Sequence, residues 1–394
     1  MSPIRPTASP KVRRFARLLT RRAIAVLGVL LGACLAALGG AVWLVVSALG
    51  GEGLTVAAAL QCIGAVLLAV QAARIGSWLW VPPPPAEGVP LARTQAPALY
   101  RMADRLAVRS RAPRVDAIRI SPDINAAIHQ RPRWACCGPI HTTLIIGLPL
   151  VHSVSPRQLA AIVAHEMAHL ARQRSGLGAW GAHLRAWWHR ACERIAADNS
   201  VVARVLQGSF EAWAERDLLD AVRLNHFEEY EADRAAAAIV GVDLLGETLV
   251  EVAMKAKFIE SDYWDKVMAQ AAHQPRPTIR PFRDMGMGVA AGFHDLRRSG
   301  VLRSVVLSET GQQMHPTLAD RLRALGVVPG VRRAGRDAEV TPCSAATRFL
   351  NPALPGLAGW FDRRWWKTTR SAWRRHYHDC RARGGAACPV CGDD

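Results

Sequence analysis

The chain has 394 residues, half of them hydrophobic, which suits one or two globular units and excludes a chain too small or too polar to bury a core. Its formal charge of +18 and pI near 10.5 direct it toward polyanions: nucleic acid, an acidic substrate or the anionic face of a membrane. Nine cysteines, an odd number, exclude a fully paired disulfide framework and suit a reducing compartment.

Residues 1–22 form a basic tail, followed by 27 uncharged positions from Ala23 to Leu49, enough for a helix to cross a hydrocarbon core of about 30 Å. The apolar region of a cleaved signal peptide is shorter, about 7–15 residues. A second uncharged run covers 54–73, so 23–73 reads as a two-helix transmembrane hairpin. Arg5, Lys11, Arg13, Arg14, Arg17, Arg21 and Arg22 precede the first span, which predicts an integral membrane protein with a cytosolic N-terminus. An even number of spans would return the rest of the chain to the cytosol. Arg74 stands at the exit, with Trp78 and Trp80 as interfacial anchors.

The polyproline connector at 81–90 opens a soluble domain over 82–335. Helical spacing over 91–111 predicts a helix. Two Ile-, Val- and Thr-rich stretches, "RVDAIRISPDINAAIHQ" and "HTTLIIGLPLV", predict strands of a small antiparallel sheet. Ser155, Pro156 and Gln158 then mark a helix start. No clean span interrupts 170–220, and a long helix is expected to end at Gly241, followed by helical segments over 242–272 and 316–325.

The capped helix carries "HEMAH". His165 and His169 project from one face a turn apart, a spacing that suits one Zn²⁺ ion. Glu166 lies about 100° around the helix, beside the metal, where it can take a proton from a water. The H-E-x-x-H pattern is a metalloprotease motif with these roles. Burying such side chains on an apolar helix without partners is expensive, and a metal removes the objection. A third ligand is needed, and "NHFEEYEAD" offers His226, Glu228, Glu229, Glu231 and Asp233. Asn225, Glu229 and Asp233 share a helical face, so Glu229 can reach the metal while Asp233 orients an imidazole, but spacing leaves the choice open.

"HEMAH", "NHFEEYEAD" and "HPTLADRL", in that order, resemble the pattern of membrane-associated zinc metallopeptidases related to the CAAX prenyl protease and HtpX, over residues 90–325. The resemblance implies an α+β fold, mainly helical and zincin-type, here preceded by the hairpin. It implies a gluzincin with His165, His169 and Glu229 on zinc, Glu166 as base, His315 near the substrate carbonyl and Arg321 holding it or the acidic helix in place. Asn125 and Ala126, on the presumed edge strand, are candidates for pairing with an extended peptide. Both spans are N-terminal, unlike the multi-span chamber of the prenyl protease.

The expected function is a membrane-anchored zinc endopeptidase acting on cytosolic or membrane-emerging polypeptides. The alternatives are an aminopeptidase, a small-substrate hydrolase, or a non-catalytic membrane scaffold, against which the intact Glu166 speaks. Segments 174–220 and 273–300 are candidate covers of the cleft. The basic C-terminal region, 336–394, interleaves Trp with Arg, a composition that suits membrane lipid better than nucleic acid, with a partly packed helix as the equal alternative. His376, His378, Cys380, Cys388 and Cys391 do not have a standard zinc spacing, and a disordered end is expected there.

Overall fold

The computed structural model describes residues 9–50, 53, 55–172, 177–299, 315–327 and 343–382. The chain forms two compact units, residues 1–85, 130–141 and 172–227 in the first, and 86–129, 142–171 and 228–394 in the second.

In the first unit, α1 (Pro10–Leu49) starts where Ser9 Oγ accepts a hydrogen bond from Val12 N–H, with Pro at the first helical position. Its early turns pack Val12 and Leu19 on Leu224 of α7 (Val201–Val240), and Phe15 stacks on Phe227. Arg22 closes this part with ion pairs to Asp217 (2.7 Å) and Asp220 (2.9 Å). A second cluster joins Ala23, Val26 and Leu30 of α1 to Ile75 and Trp78 of α2 (Val56–Leu79) and to Leu184, Trp187 and Ala191 of α6 (Leu177–Ala196). Farther along, the apolar side chains turn outward: Leu35 is 67 % exposed, Val42 63 % and Val66 63 %. Both α1 and α2 are long and apolar enough to cross a membrane.

The second unit begins with β1 (Val89–Leu91) and α3 (Pro97–Ser110), so the helix expected from 91 starts later, after a short strand. The first of the two strand-like stretches divides into β2 (Ala117–Ser121) and β3 (Ala126–Trp134), and β4 (Cys137–Gly147) follows after a two-residue turn. The sheet order is β1-β2-β4-β3. It is mixed, which corrects the antiparallel expectation: β1 pairs antiparallel with β2, but β2 pairs parallel with β4, Ile118 opposite Leu144 and Ile120 opposite Ile146. The reason is the extra reversal at 122–125. Two successive turns return β4 to the direction of β2, and β4 inserts between β2 and β3, leaving β3 at the edge.

Next come α4 (Leu148–Ser153), α5 (Pro156–Arg172), the end of α7, and α8 (Val242–Phe258), which passes through a π turn at Ile259–Tyr263 into α9 (Trp264–Ala269). They are followed by α10 (Met285–Ser299), α11 (Leu318–Ala324), α12 (Ala345–Leu350) and α13 (Leu354–Ala382). Ile118, Ile120, Leu144 and Ile146 of the sheet, Leu159 and Val163 of α5, and Phe258 of α8 share one core.

The basic C-terminal segment is largely helix, which corrects the disordered expectation up to Ala382. In α13, Leu357, Phe361 and Trp373 are buried in that core with Trp360, Trp365 and Trp366 packed against it, while Arg363, Arg364, Lys367, Arg370, Arg374 and Arg375 are exposed. Trp373 Nε1–H also donates to the Gln274 carbonyl (2.9 Å). The indoles face the protein and the cations face solvent, the arrangement of a packed amphipathic helix.

Candidate metal centre

The N-terminus of α5 is held by reciprocal capping. Ser155 Oγ accepts from Gln158 N–H (3.2 Å), and Gln158 Oε1 accepts from Ser155 N–H (2.8 Å). The Gln158 amide also donates to Glu251 of α8 (2.5 Å), whose carboxylate pairs with Lys255 (2.6 Å), and Lys255 in turn reaches the Ser153 carbonyl. This network fixes the helix that carries both histidines. Sequence reasoning found the cap but missed Glu251 and Lys255, since nothing local links positions so far apart.

One turn separates His165 from His169, and their Nε2 atoms lie 3.2 Å apart. The Glu229 carboxylate, from α7, comes within 3.5 Å of the first and 3.4 Å of the second. These three ligand atoms all lie within 4.8 Å of one another, and among the described residues no other trio of His, Cys, Asp or Glu does so. Of the acidic run, Glu229 is the residue brought to both imidazoles.

Asp233, one turn further along α7, is 1 % exposed and places Oδ1 2.9 Å from His165 Nδ1. The opposite ring nitrogen, Nε2, is the one near Glu229. Arg321, on α11, grips Asp233 by two hydrogen bonds, Nε to Oδ2 (2.8 Å) and Nη2 to Oδ1 (2.7 Å), and lies 3.5 Å from Glu229. Thr317 caps this short helix, accepting from Asp320 N–H (3.0 Å), and so presents Arg321. His315 is 57 % exposed at its side chain, with Nδ1 3.5 Å from Glu229.

Burial pushes the Glu166 carboxyl up to about 7, against the pull of His165 and of a hydrogen bond from Ile128 N–H of β3. Burial opposes a charge on His165 too, yet hydrogen bonds to Asp233 and Glu229 prevail and raise it to about 9. Burial likewise works against ionised Glu229, but His165, His169 and His315 together hold it well below the usual range. Two imidazoles facing one carboxylate in a buried place draw in positive charge, and a divalent cation meets that demand better than a proton. Two nitrogens and one carboxylate oxygen are a donor set suited to zinc with a position left open, so the residues fit the ion.

The model of peptidase family M48 matches residues 95–327, more than half of the chain. The chain belongs to this family. M48 holds HtpX-like and CAAX-protease-like zinc metallopeptidases, so the protein is a metallopeptidase and its substrates are polypeptides. The matched region contains His165, Glu166, His169, Glu229, Asp233, His315 and Arg321. No curated protein and no solved structure gives a match to the chain.

The other expected site residues of this M48 chain have local contacts. Ala126 opens the edge strand β3, and its N–H is taken by the Asn125 side chain (2.8 Å), while the Asn125 carbonyl accepts from Gly147 N–H (2.7 Å). Ile128, rather than Ala126, supplies the backbone donor to Glu166, a residue that sequence reasoning passed over. Asn225 lies one turn before Glu229 on α7 and is half-buried. His376 Nε2 and Cys380 Sγ are 3.8 Å apart on α13, and the possible partners Cys388 and Cys391 lie outside the described residues.

Proposed function

We propose that this M48 peptidase is a membrane-anchored zinc endopeptidase, with His165, His169 and Glu229 as ligands and Glu166 as general base. The supporting observation is the convergence of two Nε2 atoms and one carboxylate within 4.8 Å beside a buried carboxyl. When bound, zinc supplies a Lewis acid that polarises the scissile carbonyl and lowers the pKa of a water. Glu166 accepts the proton of the attacking water and passes it to the leaving amine, a task for which a carboxyl titrating near neutrality is suited. His315, exposed at the mouth of the centre, donates to the developing oxyanion. Asp233 orients His165, Arg321 holds Asp233, and Asn225 supports the same helical face. The start of β3, near Asn125 and Ala126, is where an extended substrate would add as a strand, through backbone groups other than the Ala126 N–H and the Asn125 carbonyl, which are already engaged.

Residues 23–73 serve as the anchor, 82–335 as the peptidase and 336–394 as a basic extension. The exposure of apolar side chains along α1 and α2 favours a lipid surrounding, because water would not leave such surfaces uncovered. The basic residues ahead of the apolar run 23–49, most of them in the first turns of α1, support a cytosolic N-terminus and peptidase.

The test is cleavage of an unfolded protein by the reconstituted chain. Internal cuts that stop with chelator and return with zinc are expected. Release of single residues from the N-terminus instead would make it an aminopeptidase, and a metal-free, inert protein would overturn the reading altogether.

A further inference from the structure

We infer that the tip of the β3–β4 hairpin is an additional contact with the bilayer, seated among phospholipid headgroups, an inference that rests on α1 and α2 being membrane spans. All the residues concerned belong to the first unit. The hairpin turns at Ala135 and Cys136. Ala135 adopts φ +41°, is buried, and enters the cluster formed by Ile75 and Trp78 of α2 and Trp187 of α6, with Cys136 packed against it. The Arg190 guanidinium donates to the carbonyls of Val81 and Ala135, both at 3.2 Å, and Trp187 Nε1–H donates to the Leu79 carbonyl (3.0 Å). The turn is thereby tied to the segment where the chain leaves α2. A group bound to the end of a spanning helix shares the depth of that end, which is the interface.

Side chains flanking the turn are exposed. Trp134 is 54 % exposed and Ile140 37 %, and Arg131 and Arg133 are exposed as well. Trp134 is held in place: it lies over Gly138, where a Cβ would come within 3.0 Å of the indole, and Gly138 sits at φ +88°. Trp80, next after α2, is also exposed, at 62 %. Water gives no reason to hold a large indole outward. The headgroup layer does, because it solvates the ring and the N–H together, while lipid phosphate accepts from the arginines. Each such arginine contributes about a fivefold preference for an anionic surface.

The experiment uses the full chain in nanodiscs containing phosphatidylglycerol, with the photo-crosslinking amino acid p-benzoylphenylalanine in place of Trp134 or, separately, of Leu35 within α1. Lipid adducts are read by mass spectrometry and metal content checks the fold. Adducts at both positions are expected, with the adduct at 134 falling severalfold in Arg131→Gln/Arg133→Gln or in purely zwitterionic discs. An adduct at 35 without one at 134 overturns this inference and leaves the membrane anchor standing. No adduct at either position overturns both, and crosslinking of position 134 to polypeptide instead of lipid makes the tip a protein interface. Should the Trp134 replacement fail to fold, hydrogen exchange over 131–140 in the unaltered chain decides: slowing by anionic lipid supports the contact, and equal rates overturn it.

Discussion

Arg321 and Asp233, 88 positions apart, meet in a two-pronged hydrogen bond at 2.8 and 2.7 Å behind His165. Asp233 is 1 % exposed, so removing Arg321 leaves a buried carboxylate with His165 as its remaining ion-pair contact. Arg321→Ala is therefore expected to lose about 3–5 kcal/mol of stability. Arg321→Lys keeps the charge but not the fork, and metal affinity should fall about 10- to 100-fold. Zinc titration and thermal unfolding measure the two effects. Unchanged zinc affinity in Arg321→Lys would show that the fork does not orient His165.

Glu166 accepts a hydrogen bond from the Ile128 N–H of the sheet and is half-buried. The Glu166→Gln change preserves shape and removes the proposed base. Turnover is expected to drop by about 10²–10⁴ while zinc stays bound. Metal analysis beside a peptide-cleavage assay checks this, and a variant that has lost zinc would instead mark Glu166 as a ligand. In the unaltered chain, chelation should abolish cleavage and zinc should restore it.

Gly147 ends β4 where the 122–125 turn crosses it, and a methyl there would sit 1.7 Å from the Asp123 carbonyl oxygen. Neither backbone can yield without breaking the hydrogen bond from Gly147 N–H to the Asn125 carbonyl. Gly147→Ala should cost about 3 kcal/mol or more. A thermal unfolding curve close to that of the parent chain would contradict the tight crossing.

His152 on α4 lies against Gly286 of α10, and burial pushes its pKa down to about 4 from 6.5. The folded form resists the proton that the unfolded chain accepts. Its contribution is therefore level above about pH 6.5 and is lost as pH falls toward 4, on the order of 3 kcal/mol in all. His152→Asn should flatten that part of the stability profile. Parallel unfolding curves from pH 7 to 4.5 for parent and variant make the comparison.

The sequence made legible whatever depends on near neighbours. Two imidazoles a turn apart, the Ser155–Gln158 cap and the uncharged runs of α1 and α2 are all local patterns, written in the spacing of residues along one helix. The mixed sheet was not legible, because the turn at 122–125 lay inside a stretch that reads as one strand. Nor was the Trp- and Arg-rich α13, since composition states which side chains are present but not which face packs.

By itself, then, the chain's own order determined that two imidazoles and a carboxyl stand together on one helix and that long apolar stretches precede it. Only the tertiary structure decided that Glu229, rather than its acidic neighbours, closes the trio, that Arg321 stands behind Asp233, and that β3 is the open edge. Those outcomes depend on how distant segments pack, and the energy of packing is shared among contacts that no single stretch contains.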